Sequence, residues 1–203
     1  IEFWNERYKE DEYAYAKEPN EYLKAKLREI KAGKILFPAE GEGRNSVYAA
    51  NLGRAVSAFD VSTEGKKKAL RLAEEEKVEI NYQTTSLENL NYKKGDFDVI
   101  ALIYAHFAPE MRKDYFNYFK YILKSGGKLI FEAFGPKHPD YQNLNPTVGG
   151  PKEEKMLFSE KEIREAFQDL IFEEFYEGEV ELREGKFHKG KGWVIRFVAE
   201  KKT

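Results

Sequence analysis

Residues 35–60 contain the feature that most constrains the fold: an apolar segment, a turn with two glycines, a helical segment and a second apolar segment. Ile35–Pro38 is short and apolar throughout, as expected for a buried parallel strand. Gly41 and Gly43 permit a sharp turn where the backbone approaches a neighbour closely. From Arg44 onward apolar residues recur at helical spacing, and a second strand pattern follows. The order predicts one strand–helix–strand unit.

Asp60 ends the second strand of this unit, nineteen positions after Gly41. In nucleotide-binding sheets an acid at this point accepts hydrogen bonds from ribose hydroxyls. The spacing therefore predicts a nucleoside site at the mouth of the unit. The structural alternative is that Asp60 only caps the helix that follows it.

Strand and helix patterns alternate from residue 35 to residue 134, which predicts a parallel α/β sheet with right-handed crossovers. The fourth strand, Phe97–Tyr104, is apolar nearly throughout. It should therefore be central in the sheet and covered on both faces. The predicted third, fourth and fifth strands are Val78–Tyr82, Phe97–Tyr104 and Lys128–Phe134.

The order changes after the fifth strand. Residues 135–156 hold four of the seven prolines and predict a long irregular loop on the substrate side. Two strands at 171–182 and 193–201, separated by the polar residues 183–192, predict a closing antiparallel hairpin. Residues 1–31 are expected to form an N-terminal lid and a helix over 19–31 within one domain spanning residues 1–203.

Composition excludes several classes of protein. The 34 basic and 36 acidic side chains are interspersed, which argues against a nucleic-acid-coating surface. The absence of cysteine excludes a disulfide scaffold, a thiolate metal site and a cysteine nucleophile, and no metal is predicted. Val99–Pro109 is the longest nearly apolar stretch and is far too short for a membrane span. A cytoplasmic protein, monomeric or weakly dimeric and without a signal peptide, is expected.

The side chains around the glycine turn distinguish between cofactor classes. A dinucleotide site commonly has a third glycine where this chain has Ser46. Glu40 and Glu42 would repel a pyrophosphate but suit a cationic ligand such as an ammonium or a sulfonium. A nicotinamide-dependent oxidoreductase is therefore disfavoured, and a non-catalytic nucleoside-binding module is the third alternative.

Residues 35–50, Ile-Leu-Phe-Pro-Ala-Glu-Gly-Glu-Gly-Arg-Asn-Ser-Val-Tyr-Ala-Ala, resemble the first motif of class I S-adenosylmethionine-dependent methyltransferases. The branch most similar includes the tellurite-resistance and thiopurine methyltransferases. Further matching segments are Trp-Asn-Glu-Arg-Tyr near the beginning, Gly-Gly-Lys-Leu-Ile-Phe-Glu-Ala-Phe at 126–134 and Gly-Gly-Pro-Lys at 149–152.

The resemblance implies a three-layer Rossmann-like α/β fold and S-adenosylmethionine as the cofactor, with S-adenosylhomocysteine as product. The implied sheet has seven mostly parallel strands in the order 3-2-1-4-5-7-6, with strand 7 antiparallel. Many relatives have Asp where this chain has Phe37 and an acid where it has Ser86. The cofactor contacts made at these two positions must therefore be weaker here, or be supplied by Glu40 and backbone groups.

The resemblance also assigns roles to individual positions. Asp60 is expected to hold the ribose hydroxyls, and Glu40 is expected near the methionine ammonium. Arg44 and Asn45 flank the turn, where the alternative is that Asn45 only tethers the loop. The other residues expected around the cofactor are Ala39, Gly41 and Gly43 beside the methionine half, Val61, Ser86 and Leu87 around adenine, and the Ile103 carbonyl beside the ammonium.

Sulfonium methyl transfer is an in-line displacement, in which alignment of the reactants can supply roughly 7–11 kcal/mol. A base is needed only if the nucleophile arrives protonated. His106 is the predicted base, with a satisfied core histidine as the alternative, and the Tyr104 hydroxyl is predicted to orient the acceptor. The expected acceptor is a small molecule, such as a thiol, a selenol or a tellurite-like ion. The aromatic residues predicted to form the lid are Trp4, Tyr8 and Tyr15, unless that segment only docks on the sheet.

Overall fold

A single seven-stranded sheet organises the chain, and the computed structural model describes all residues 1–203. The strands are β1 Lys34–Pro38, β2 Ala55–Asp60, β3 Asn81–Thr84, β4 Phe97–Ile103, β5 Leu123–Phe134, β6 Leu170–Glu184 and β7 His188–Lys201. Their order is β3-β2-β1-β4-β5-β7-β6, with β7 antiparallel to both of its neighbours. The predicted fold class and strand order are confirmed.

Helices cover both faces of the sheet. They are α1 Glu2–Tyr8, α2 Glu21–Glu29, α3 Arg44–Asn51, α4 Thr63–Glu75, α5 Pro109–Ile122, α6 His138–Leu144 and α7 Glu160–Ala166. Side-chain oxygens of Asn20, Ser62 and Ser159 cap α2, α4 and α7 by accepting backbone N–H groups of the first turn. None of these helices combines the length and the apolar character that crossing a bilayer would require.

The core lies in two apolar layers, one on each side of the sheet. Successive residues of β4 alternate between them: Ile100 and Leu102 belong to the larger cluster, Val99 and Ala101 to the smaller. This confirms that β4 is central and covered on both faces. Fully burying one large aliphatic or aromatic side chain stabilises the fold by about 1.5–3 kcal/mol. The two layers therefore fix the strands whose ends carry the polar site.

The third strand differs from its prediction. β3 occupies 81–84 rather than 78–82, and it pairs in parallel with Ser57–Asp60 of β2. Lys77 ends the preceding turn with a left-handed φ of 58°. Val78 and Ile80 pack against the cluster that contains Leu72 of α4. Val78 and Ile80 alternate with polar residues because they pack beneath a helix. A period of two in the sequence does not distinguish such packing from the pairing of a strand.

The closing hairpin is longer than predicted. β6 and β7 remain paired as far as Glu184 opposite His188, so only residues 185–187 form the turn. Most of the segment predicted as a polar connection is thus strand, with Leu182 packed inward against Phe134. The extension carries Glu184 and His188 to the carboxyl ends of the parallel strands. Residues 135–156 likewise include α6 within the predicted irregular loop.

Candidate functional site

The glycine turn between β1 and α3 has three residues with left-handed backbone. The φ angles are 51° at Ala39, 66° at Gly41 and 88° at Gly43. A Cβ on Gly43 would stand 2.5 Å from the Cβ of Ala69 and 2.6 Å from its Cα, closer than real contacts allow. The bare glycine therefore lets α3 begin directly against α4, as the sequence pattern predicts for a close backbone approach.

Glu40 lies inside this turn beside the first turn of α3. Its Oε1 accepts the backbone N–H of Ser46 at 2.6 Å. Burial raises the pKa of Glu40 to about 7, although the bond from Ser46 and the charge of Arg44 act in the opposite direction. Arg44 itself pairs with Glu184, so the Glu40 carboxyl is left without a cation in contact. The site has the charge that an incoming ammonium group would complement.

Asp60 ends β2 next to the turn. Its two carboxylate oxygens accept the N–H groups of Gly41 at 3.0 Å and Ser62 at 2.9 Å. Burial raises the pKa of Asp60 despite these bonds. Asp60 therefore holds the loops around it, as the capping alternative predicts, while a carboxylate still has lone pairs for further donors.

The residues expected around adenine gather beside Asp60. The N–H of Thr85 donates to the Asp60 carbonyl at 2.9 Å, which brings Ser86 and Leu87 to the end of β2. Leu87 is buried, and Ser86 begins the short 3-10 turn Leu87–Asn89. Val61 is half-buried directly after Asp60. The structure thus places these residues together, and their roles around adenine stay predictions.

Other side chains of the turn bind distant parts of the chain. Asn45 Oδ1 accepts the N–H of Asn20 at 2.9 Å, and Arg44 pairs with Glu184 at 2.6 Å. Glu42 is buried, accepts the N–H of Ala14 at 2.9 Å and pairs with Lys68 at 2.8 Å. These contacts agree with the tethering alternative for Asn45, and they give Arg44 the same kind of role.

Tyr104 follows Ile103 at the carboxyl end of β4, with a left-handed φ of 53°. Its hydroxyl donates to Glu132 Oε1 at 2.5 Å. Glu132 has no exposed surface, and it also accepts from the Asn20 amide at 3.0 Å and pairs with Arg196. Burial and the charge of Glu132 raise the pKa of Tyr104 well above its usual value. The hydroxyl is therefore occupied, and the ring forms a fixed wall.

His106 has backbone partners for both ring nitrogens. Its Nδ1 lies 2.9 Å from the carbonyl oxygen of Met156, and its Nε2 accepts the N–H of Phe134 at 3.3 Å. Burial lowers the pKa of His106 to about 3, opposed by the bond to Met156. Neither nitrogen is free to take a proton from an acceptor. These contacts favour the satisfied core histidine over the predicted general base.

The N-terminal segment, residues 2–18, covers both ends of the site. Tyr8 is buried, and a Cβ on Gly41 would meet its hydroxyl oxygen at 2.7 Å. Trp4 stacks on Tyr8 with ring centroids 5.6 Å apart. Tyr15 lies against His188, with centroids 4.6 Å apart. The three predicted lid aromatics thus lie over the site, and their function as a lid stays a prediction.

Two polar residues of the site were missed by sequence reasoning. Glu184 and His188 flank the turn of the long hairpin, within the segment predicted as a surface connection. Glu184 is buried beside Arg44, and His188 Nδ1 lies 3.5 Å from Glu184 Oε2. Burial would raise the pKa of Glu184, but Arg44 and His188 lower it to about 2. No local motif marks these residues, because their partners are far away in sequence.

A cavity of about 780 Å³ lies outside this constellation. It opens on the outer side of the N-terminal segment and the hairpin turn, and its lining includes Tyr13, Arg71 and Lys189. Beside the glycine turn and the transfer end, Tyr8 instead lies against Gly41 and Tyr15 against His188. The polar side chains and strand ends, rather than cavity size, identify the candidate site.

Residues 35–127 match a family described as a methyltransferase domain. No curated protein sequence matches the chain. Among solved structures, TehB from Haemophilus influenzae superimposes with a TM-score of 0.72 at 20% identity, covering 99% of this chain and 66% of TehB. A SAM-dependent methyltransferase from Methanosarcina mazei gives a TM-score of 0.67 at 18% identity, covering 88% of this chain and 97% of the other. Such identities show similarity of fold alone.

A third solved structure, magnesium protoporphyrin IX methyltransferase (ChlM) from Synechocystis PCC 6803 with bound SAH, gives a TM-score of 0.62 at 16% identity. It covers 89% of this chain and 81% of ChlM. The domain match over residues 35–127 and the strand order both indicate a methyltransferase.

Proposed function

We propose that this protein is an S-adenosylmethionine-dependent methyltransferase that acts on a small-molecule acceptor with a soft nucleophile, such as a thiol, a selenol or a tellurite-like ion. The observation that carries the proposal is the acid-containing turn beside Asp60, closed over by aromatic side chains of residues 2–18. A site with Tyr8 against Gly41 and Tyr15 against His188 suits a small, partly apolar acceptor better than a nucleic acid. The fold similarity to TehB agrees with the tellurite-resistance branch that the sequence resembles.

In this proposal the cofactor lies across the carboxyl ends of β1, β2 and β4. Glu40 would neutralise its ammonium group, since Glu40 has no cation in contact within the chain. Asp60 would use its remaining lone pairs to accept the ribose hydroxyls, and Leu87 would border adenine. When bound, the cofactor supplies an electrophilic methyl group on a sulfonium. The chain's own residues orient the reactants and exclude water.

Alignment is the main contribution that the protein makes to such a displacement. Tyr104 is held by Glu132 at the end of β4, so its ring can fix the position of an acceptor. The aromatic residues Tyr8 and Tyr15 lie above the two ends of the site and would keep water out. His106 takes no part in proton transfer here, because both of its nitrogens bond to the backbone.

The geometry also bears on the nicotinamide alternative. A pyrophosphate needs free N–H groups at the start of the helix after the glycine turn. The N–H of Ser46 at the start of α3 already donates to Glu40. Calorimetric titration with S-adenosylmethionine, S-adenosylhomocysteine and NADH tests this preference. Tight binding of NADH without any response to the sulfur compounds would contradict the proposal.

Transfer itself is tested with methyl-labelled cofactor and a panel of thiols, selenols, tellurite, carboxylates and amines. We expect labelled product with at least one soft nucleophile and none with the amines. Cofactor binding without transfer to any acceptor would instead support the non-catalytic nucleoside-binding module.

Asp60→Ala is expected to weaken cofactor affinity by about 1–3 kcal/mol, the scale of lost hydrogen bonds to a charged group. Isothermal titration with S-adenosylhomocysteine measures the change. Asp98→Ala is the matched control, because Asp98 also accepts a backbone N–H, from Lys34 at 2.8 Å, but lies at the opposite end of the sheet. Equal affinities for Asp60→Ala and the unaltered protein would mean that Asp60 is only a cap.

Cofactor binding is expected to release a proton from Glu40. The pKa of Glu40 is about 7 in the free protein, and an adjacent ammonium would lower it. Because the bound form favours the carboxylate, affinity should rise about tenfold from pH 6 to pH 8 and then level off. Titration in two buffers of different ionisation enthalpy measures the released proton. Glu40→Gln keeps an oxygen for the Ser46 N–H and should bind without proton release; unchanged release in that variant would assign the proton to another group.

A further inference from the structure

His188 is the one histidine of the site with a ring nitrogen that no chain group occupies. Both nitrogens of His106 bond to the backbone, and His138 does the same through Gly149 and Trp193. His188 is 5% exposed, and its Nδ1 is fully buried without a hydrogen bond. Its Nε2 also has no partner in the chain but is not sealed from solvent.

The Glu184 carboxylate lies beside the imidazole ring. Its Oε2 lies 3.5 Å from His188 Nδ1, slightly beyond an ordinary hydrogen bond, and 2.6 Å from Arg44. A small rotation of the imidazole would bring Nδ1–H onto the carboxylate. Glu184 remains ionised, since Arg44 and His188 lower its pKa to about 2 against the effect of burial. A proton held on Nδ1 leaves Nε2 with a lone pair.

The ring lies at the end of the site where transfer would occur. Its centroid is 4.6 Å from the ring centroids of both Tyr15 and Tyr104 and 5.2 Å from that of Phe134, to which the imidazole is nearly perpendicular. Tyr104 directly follows β4, on the side of the glycine turn that would face the methionine half of the cofactor. His188 would therefore lie beside the acceptor, although the hairpin enters the site from the far edge of the sheet.

We propose that His188 is the general base of the reaction, accepting the acceptor's proton on Nε2, with Glu184 as its positioning residue. The assignment rests on the proposed function. The acceptor X–H gives its proton to Nε2, and the electron pair on X forms the new bond to the methyl carbon. The carbon–sulfur bond breaks with its electrons remaining on sulfur, leaving a neutral thioether. The acceptor is then a protic thiol or selenol, rather than an anion that needs no base.

The surrounding charges suit a neutral base. Burial lowers the pKa of His188, Arg44 and Arg7 add to that effect, and Glu184 opposes it. The other titratable groups that face the ring are the Tyr15 and Tyr104 hydroxyls and the imidazoles of His138 and His106. The imidazole is thus unprotonated near neutral pH, and the Glu184 carboxylate stabilises the imidazolium formed during transfer.

Two thiol probes distinguish a base from a structural residue. 2-Mercaptoethanol is protonated at neutral pH, whereas 5-thio-2-nitrobenzoate is already a thiolate. For His188→Asn we expect a loss of about 10²–10⁴ in kcat with the first probe and little change with the second. His138→Asn is the matched control, a buried histidine on the same phenylalanine whose loss should affect both probes equally. Equal losses with both probes for His188→Asn would overturn the assignment.

A second measurement does not depend on turnover. Nitrogen-15 NMR of histidine-labelled protein with S-adenosylhomocysteine reports which nitrogen of His188 carries the proton, with His188→Asn identifying the resonances. We expect protonated Nδ1 and bare Nε2, and a proton on Nε2 would overturn the proposal. If the unaltered protein methylates no acceptor, the proposed function fails; methyl transfer to 2-mercaptoethanol that His188→Asn retains removes only the role of His188.

Discussion

Gly43→Ala is expected to lower the free energy of unfolding by about 2–5 kcal/mol, because it combines backbone strain with overpacking. The φ of 88° is unfavourable for alanine, and the new Cβ would stand 2.6 Å from the Cα of Ala69. Since that atom belongs to the backbone of α4, a side-chain rotation cannot relieve the contact. The start of α3 must move away from α4 instead.

Gly53→Ala separates the two contributions. Gly53 also has a left-handed φ, of 78°, but nothing lies within 4 Å of the position its Cβ would take. The strain alone should lower stability by about 1 kcal/mol. Urea unfolding measures both variants, and titration with S-adenosylhomocysteine should show weaker binding for Gly43→Ala alone, because Ser46 and Glu40 move with α3. Equal stability losses for both variants would show that the contact with Ala69 is relieved without cost.

Arg44→Met is expected to destabilise the protein by about 3–5 kcal/mol, since it leaves the buried Glu184 carboxylate without its cation. The side chains of Arg44 and Glu184 are 8% and 7% exposed, and their nearest atoms lie 2.6 Å apart. The pair joins the glycine turn to the hairpin, so methyl transfer should also fall. Urea unfolding and a transfer assay with the fastest acceptor of the panel measure the two effects.

Arg164→Met is the matched control for this pair. Arg164 and Glu160 lie at the same distance, 2.6 Å, but both are nearly half exposed, so the loss should stay below about 1 kcal/mol. The depressed pKa of Glu184 also sets the pH dependence. Stability from the pair is present above the unfolded pKa of Glu, about 4.3, and is lost as pH falls toward about 2. An Arg44→Met protein as stable as Arg164→Met at neutral pH would contradict the proposed strength of the buried pair.

Sequence patterns predicted the helices and strands in which buried residues recur at a regular spacing. β4 is apolar on both faces because helices cover both sides, and Ser62 caps α4 through a contact three residues away. The same reasoning misplaced β3, since Val78 and Ile80 are half-buried against the cluster that contains Leu72 of α4 and are not paired with a neighbouring strand. It also made both strands of the hairpin too short at the turn. The polar residues of a long two-stranded ribbon resemble those of a loop in sequence.

The amino-acid sequence by itself determined the strand–helix order of the fold and predicted a cofactor class and its place at the glycine turn, because local period, glycine positions and the spacing to Asp60 lie within about one strand–helix–strand unit. Only the tertiary structure decided which polar side chains remain free at the transfer end. Arg44 meets Glu184 across 140 residues of sequence, and Tyr104 meets Glu132 across 28. His106 and His188 differ in the groups that folding brings to their nitrogens, backbone atoms for His106 and the Glu184 carboxylate near His188, and no local pattern records that difference.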